Sequence, residues 1–139
     1  MVPDTMPESL IIVGSGAIGS EFASFYHDMG VNVTLVEALD RILPVEDEDV
    51  SAFVQKAFEK RGIRIMTGVK LQAGPGDANG VPALIEGHDQ PLQASRIILA
   101  VGITGNTENL GLETTKIKVD RGHIVTDQWG ATGEAGIYA

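Results

Sequence analysis

Gly14-Ser15-Gly16-Ala17-Ile18-Gly19 carries glycines at its first, third and sixth positions, and Glu37 follows 23 residues after the first of them. Glycines so spaced let a chain turn sharply out of a strand, leave room for a pyrophosphate against the backbone, and let the next helix pack close to the strand. A carboxylate at the end of the following strand can accept hydrogen bonds from both hydroxyls of an adenine ribose, and it repels the extra phosphate of NADP. The pair points to a dinucleotide, with Glu37 favouring NAD. Arg41 is the one nearby cation that would argue for NADP. It comes four positions after Glu37 and beside Asp40, and reads as half of a surface ion pair.

In a chain with 17 glycines the motif is weak alone, so its flanks decide. Leu10-Ile11-Ile12-Val13 is a continuous apolar run, as expected of a strand covered on both faces. Ile18, Phe22, Phe25, Tyr26 and Met29 then fall on one helical stripe that ends at Gly30. Val31–Val36 reads as a second strand ending at Glu37. Val50, Phe53, Val54, Ala57 and Phe58 give the spacing of a second helix with a buried face, closed by Lys60-Arg61 and Gly62. Glu46-Asp47-Glu48-Asp49 ahead of it could hold a metal or work as acid and base, but carboxylates at the positive end of a helix are the ordinary expectation.

Ile63–Met66 completes strand-helix-strand-helix-strand, one mononucleotide-binding half with strand order 3-2-1. No third amphipathic helix follows. Turn signals at Gly74-Pro75-Gly76-Asp77, Asn79-Gly80 and Gly87-His88-Asp89 separate Val69–Gln72, Val81–Glu86 and Leu92–Ala94, an antiparallel meander that serves as the crossover. Arg96–Val101 should return to the parallel sheet beside the first strand. Gly102, at its carboxyl end, reads either as lining the nicotinamide side of a crevice or as a plain loop glycine. His123–Thr126 reads as a short strand, Glu113–Val119 is ambiguous, and Ile137-Tyr138-Ala139 looks like a strand beginning where the chain stops, as in a truncated protein.

The 139 residues suit one domain, 1–139. No apolar stretch reaches the ~20 residues of a membrane span. Met1-Val2-Pro3-Asp4 lacks a secretory pattern, and Met1–Pro7 reads as a leader, so a soluble, cytoplasmic chain is expected. The net charge of −9 disfavours nucleic acid and anionic membranes as partners. It leaves an anionic cofactor possible, because a helix terminus binds pyrophosphate locally. Without cysteine there is no redox dithiol and no thiolate metal ligand. Tyr26 is followed four positions later by Gly30, not lysine, and His27, His88 and His123 are scattered without metal-pair spacing. The chain is equipped to hold a dinucleotide, but no catalytic residue or metal ligand emerges.

Pro7 through Glu21 closely resembles the opening of the NAD-binding domain of the dihydrolipoamide dehydrogenases, flavoproteins of the pyridine nucleotide-disulfide oxidoreductase family. The likeness continues through Val36-Glu37, Arg41-Ile42-Leu43-Pro44, Lys60-Arg61-Gly62-Ile63, Ile98-Leu99-Ala100-Val101-Gly102, Asn106-Thr107, Leu110-Gly111-Leu112-Glu113 and Gly136-Ile137-Tyr138-Ala139. The resemblance implies an α/β fold: a three-layer, Rossmann-like parallel sheet with an antiparallel meander, of the FAD/NAD(P)-binding type. It also implies that Gly14, Ser15, Gly16, Ala17, Ile18 and Gly19 hold the NAD pyrophosphate, with Ser20 among the cofactor-binding positions. Glu37 would take the adenine ribose, Leu71 would lie beside the adenine, and Glu21 and Gly102 would serve the nicotinamide end. Glu21 matches a carboxylate that pairs with a lysine of the flavin domain, and as a first-turn acid it would also suit the helix dipole.

In such enzymes hydride passes between NAD and FAD, and the flavin exchanges electrons with a disulfide fed by dihydrolipoamide. The FAD and dimerisation domains belong to the parent chain, which would be a homodimer serving 2-oxo acid dehydrogenase complexes. This chain is then expected to be an excised, inactive middle domain. It departs from the family at Ile103-Thr104-Gly105, where Arg-x-Pro is usual, so contacts made by that arginine do not carry over. A sibling flavin reductase, of the mercuric or glutathione reductase type, and a stand-alone NAD-sensing module are the alternatives.

Overall fold

The computed structural model describes residues 4–139; Met1–Pro3, part of the expected leader, lie outside the described residues. The chain divides into two compact units, one ending at Val101 and the other spanning Gly102–Ala139.

In the first unit the apolar runs become β1 (Ser9–Val13), β2 (Asn32–Val36), β3 (Arg64–Met66) and, after the meander, a strand at Arg96–Leu99. The meander consists of β4 (Leu71–Ala73), β5 (Val81–Ile85) and β6 (Leu92–Ala94), so the strand at Arg96–Leu99 is β7. The parallel sheet runs β3-β2-β1-β7, and the meander pairs antiparallel as β4-β5-β6. Register is fixed by pairs such as Leu10 with Val33 and Ile12 with Ile98.

Alternation along the strands makes three layers. Leu10, Ile12, Val33 and Leu35 pack against Ala23 and Tyr26 of helix α1 (Ala17–Asp28) and Phe58 of helix α2 (Glu48–Arg61). Ile11 and Val36 turn the other way and pack with Ala83, Ile85 and Ala94 of the meander. A strand covered on both faces must be apolar at every position, which is why β1 reads as an unbroken run. Each Leu or Ile so buried contributes about 1.5–3 kcal/mol relative to exposure.

The helices bury narrower faces than their apolar stripes predict. On α1 the inward residues are Gly19, Ser20, Ala23 and Tyr26, with Phe22 partly buried, while Ile18, Phe25 and Met29 are exposed. Small residues at 19, 20 and 23 let the helix approach the sheet closely, and this rotates the larger apolar side chains to its flank. On α2, Ser51 and Phe58 are buried and Val54 packs against the core, but Val50 is exposed and Phe53 is 74% exposed.

The second unit holds a short 3-10 turn at Leu112–Thr114 and a hairpin of β8 (Val119–Asp120) and β9 (His123–Ile124). Asp127 Oδ1 accepts from the amides of Trp129 and Ala131. Ile137–Ala139 is no strand; Tyr138 makes an isolated bridge with Ala131. Among the described residues no helix is long and apolar enough to cross a membrane.

Candidate dinucleotide site

The three motif glycines have different physical reasons to be there. Gly14 has φ +95°, and a Cβ on it would strike the carbonyl oxygen of Ala100 and stand 2.7 Å from its carbon. A Cβ on Gly19 would strike the carbonyl oxygen of Gly14 and stand 2.9 Å from its carbon. Both are therefore required by the fold. Gly16 is different. Its φ of −62° suits any residue, and a Cβ there would meet nothing within 4 Å.

Gly16 is also the N-cap of α1, and it supplies no side-chain cap. Ser, Asp or Asn at that position would cap the helix better than glycine, by roughly a few tenths of a kcal/mol. The first turn of α1 has no acidic residue either; Glu21 stands beyond it, exposed, so the first-turn placement expected for Glu21 is not met. The first helical bond runs from the Ser20 amide to the Gly16 carbonyl at 3.0 Å, and the amides ahead of it have no intrahelical acceptor. Helix α2 shows the contrast within one chain. Asp47 caps it by accepting from the Asp49 amide at 2.9 Å, and Glu48 and Asp49 fill its first turn. The acidic run is thus helix-capping chemistry. The N-terminus of α2 is supplied with its own carboxylates, whereas that of α1 is left open to an anion.

Glu37 lies just beyond β2, 8% exposed, with its carboxylate turned onto the glycine turn. Oε2 accepts from the amide and the hydroxyl of Ser15, each at 2.8 Å, and Oε1 accepts from the Leu39 amide at 2.9 Å. Burial pushes the carboxyl up. The amides of Leu39 and Ser15, the Ser15 hydroxyl and the Ala38 amide together outweigh burial and hold it below the ordinary 4.5. Arg41 does not pair with Asp40. It bonds Glu48 Oε1 at 2.7 Å and the Pro44 carbonyl at 3.1 Å, bracing the loop that follows Glu37.

A carboxyl whose folded pKa lies below its unfolded one contributes stability that is complete above the unfolded value and lost as pH falls through the folded value. Urea unfolding should therefore separate the native chain from Glu37→Gln near neutral pH, with the gap closing as pH drops below 4.5. A gap that persists unchanged to about pH 3 would contradict the hydrogen-bonded carboxylate.

Of the other candidates, Ser20 is buried with its hydroxyl on the Ser15 carbonyl at 3.0 Å, while Ala17 and Ile18 are exposed at the start of α1. Leu71 is partly buried in the cluster that contains Val36, and the Val69 amide donates to the Glu37 carbonyl at 3.1 Å, which ties the approach to β4 to Glu37. Gly102 opens the second unit, with φ +134° and open space where a Cβ would stand. Two contributors had no signal in the sequence. The Leu43 amide donates to the Ser15 carbonyl at 2.9 Å from a residue at φ +48°, and the Ser51 hydroxyl holds the Leu43 carbonyl at 3.1 Å.

Residues 2–139 match the model of the pyridine nucleotide-disulphide oxidoreductases. The chain belongs to this family. It is 51% identical over 140 residues to a dihydrolipoyl dehydrogenase of Rhizobium etli, covering 99% of this chain and 29% of that protein. A dihydrolipoyl dehydrogenase of Zymomonas mobilis is 49% identical over the same length. The crystal structure of LpdA from Mycobacterium tuberculosis superposes with a TM-score of 0.85 at 33% identity, over 98% of this chain and 30% of that one. The HOCl-induced flavoprotein disulfide reductase RclA from Escherichia coli gives 0.86 at 29% identity, over 98% and 31%. The chain therefore spans about 30% of the length of the curated relatives it matches. The Rossmann-like α/β fold with parallel and antiparallel sheets is that of these disulfide reductases.

Proposed function

We propose that residues 1–139 act as the NAD(H)-binding domain of a dihydrolipoyl dehydrogenase. The single observation that carries the reading is Gly16. The fold needs no glycine there, and serine, asparagine or aspartate would cap helix α1 somewhat better, yet the position is bare beside amides that have no intrahelical acceptor. A pyrophosphate against the backbone accounts for all three facts.

The dinucleotide supplies the hydride-accepting ring. This chain's residues bind and orient it: the amides around Gly16 and Ala17 take the pyrophosphate, Glu37 takes the adenine ribose, and Leu71 offers an aliphatic surface to the adenine. Ile18, Gly19 and Ser20 continue the turn, while Glu21 and Gly102 are assigned to the nicotinamide end on family likeness alone. In the whole enzyme the partners are the FAD and dimerisation domains, a homodimer mate and a cytoplasmic 2-oxo acid dehydrogenase complex. The identities to dihydrolipoyl dehydrogenases favour this over a mercuric or glutathione reductase.

Glu37→Ala tests the ribose assignment. NADH affinity should fall about tenfold or more, the scale of a lost charged hydrogen bond, while NADPH affinity holds or improves. Equal losses for both nucleotides in calorimetric titrations would remove Glu37 from the site.

A further inference from the structure

Ser15 occupies the second position of the glycine turn, where a phosphate contact is expected, yet it is 0% exposed and all its polar atoms have protein partners. Its amide and its hydroxyl both donate to Glu37 Oε2 at 2.8 Å. Its carbonyl accepts from the Leu43 amide at 2.9 Å and from the Ser20 hydroxyl at 3.0 Å. No donor is left over for a ligand. We propose that Ser15 is a positioning residue that sets the preference for NADH over NADPH by fixing the Glu37 carboxylate, without touching the nucleotide itself. The inference rests on the dinucleotide reading above.

A carboxylate offers about four acceptor positions. Two donors from Ser15 occupy Oε2 and the Leu39 amide takes one position on Oε1, so the plane of the group is held at both oxygens and acceptor capacity remains on Oε1. Charge from neighbouring side chains plays no part among the described residues: burial and hydrogen bonds alone shift Glu37, Arg41 is turned to Glu48, and Asp40 is exposed. Among the described residues the Ser15 hydroxyl is thus the only side-chain donor on this carboxylate. Without it the group gains freedom to rotate and is protonated more easily. A misdirected carboxylate accepts poorly from a ribose hydroxyl and no longer sets its charge against the phosphate of NADPH. The loss falls on discrimination, whereas loss of a phosphate ligand would weaken both nucleotides alike.

The test is Ser15→Ala in the 139-residue chain, titrated with NADH and NADPH, together with a carbon-13 NMR titration of the Glu37 carboxyl. The expected result is a fall of about tenfold in the NADH to NADPH affinity ratio, with the Glu37 midpoint moving up. Equal weakening of both nucleotides would overturn the proposal in favour of direct phosphate binding. An unchanged ratio with an unchanged Glu37 midpoint would also overturn it, as would a change in only one of the two. If Ser15→Ala does not fold, Ser15→Gly, which likewise keeps the amide donor and removes the hydroxyl, is titrated in its place, with the same results upholding or overturning the proposal. A native chain that binds neither nucleotide sinks the dinucleotide reading and this inference with it. One that binds NADH while Ser15→Ala behaves as native sinks the inference alone.

Discussion

Gly16→Val is expected to lower NADH affinity by at least about 100-fold, equivalent to ~2.7 kcal/mol, while leaving the chain folded. The two halves of this expectation have separate causes. The backbone of Gly16 lies at φ −62° and ψ −176°, which valine adopts freely, and its side chain would enter space that no protein atom occupies within 4 Å of the Cβ. Valine is a poorer N-cap than glycine, at a cost of about 1 kcal/mol or less. On the proposed reading the same space is where the pyrophosphate approaches the amides, so the isopropyl group would exclude it. Calorimetry and urea unfolding on the same preparation check both halves. Native-like NADH affinity in a folded Gly16→Val would place the phosphate site elsewhere.

Gly19→Ala has the opposite signature, a large loss of stability from a single methyl group. By helix propensity alone, alanine in place of glycine inside α1 would stabilise by about 1 kcal/mol. Here the methyl would strike the carbonyl of Gly14, which is backbone and cannot swing aside. Either α1 or the turn must move, and both are tied down: the Gly14 amide donates to the Val36 carbonyl at 2.8 Å, and Ser20 is held to the Ser15 carbonyl. A loss of about 3 kcal/mol or more, the upper range of overpacking, is expected in denaturant unfolding. A Gly19→Ala chain as stable as the native one would mean that helix and turn are not in the contact described.

The strand order, the meander crossover and the glycine turn could all be read from residues 7–101, because each rests on a local signal. Doubly buried strands are unbroken apolar runs, and the turns are marked by Gly-Pro, Asn-Gly and Gly-His-Asp. Which face each helix buries was not legible. The stripes through Ile18, Phe25 and Met29 and through Val50 and Phe53 differ from the buried lines by about one residue, or 100° of rotation, and counting apolar residues cannot choose between them. Small residues at 19, 20, 23 and 51 made the choice by letting the helices approach the sheet.

The site residues were legible as types and their partners were not. Ser15 and Glu37 are 22 residues apart, and nothing in their spacing says that both donors of Ser15 converge on one carboxylate oxygen. The switch of Arg41 from Asp40 to Glu48 likewise depends on the loop path through Leu43 at positive φ, a conformation that no residue type in Arg41-Ile42-Leu43-Pro44 announces.

The central claim is that this chain binds NAD(H) through the bare N-terminus of α1 and the carboxylate of Glu37. Calorimetric titration of the native chain with NADH and, separately, NADPH tests it most directly. The account predicts saturable binding of NADH and much weaker binding of NADPH. Equal affinity for the two nucleotides, or no heat with NADH at millimolar concentration, would contradict it.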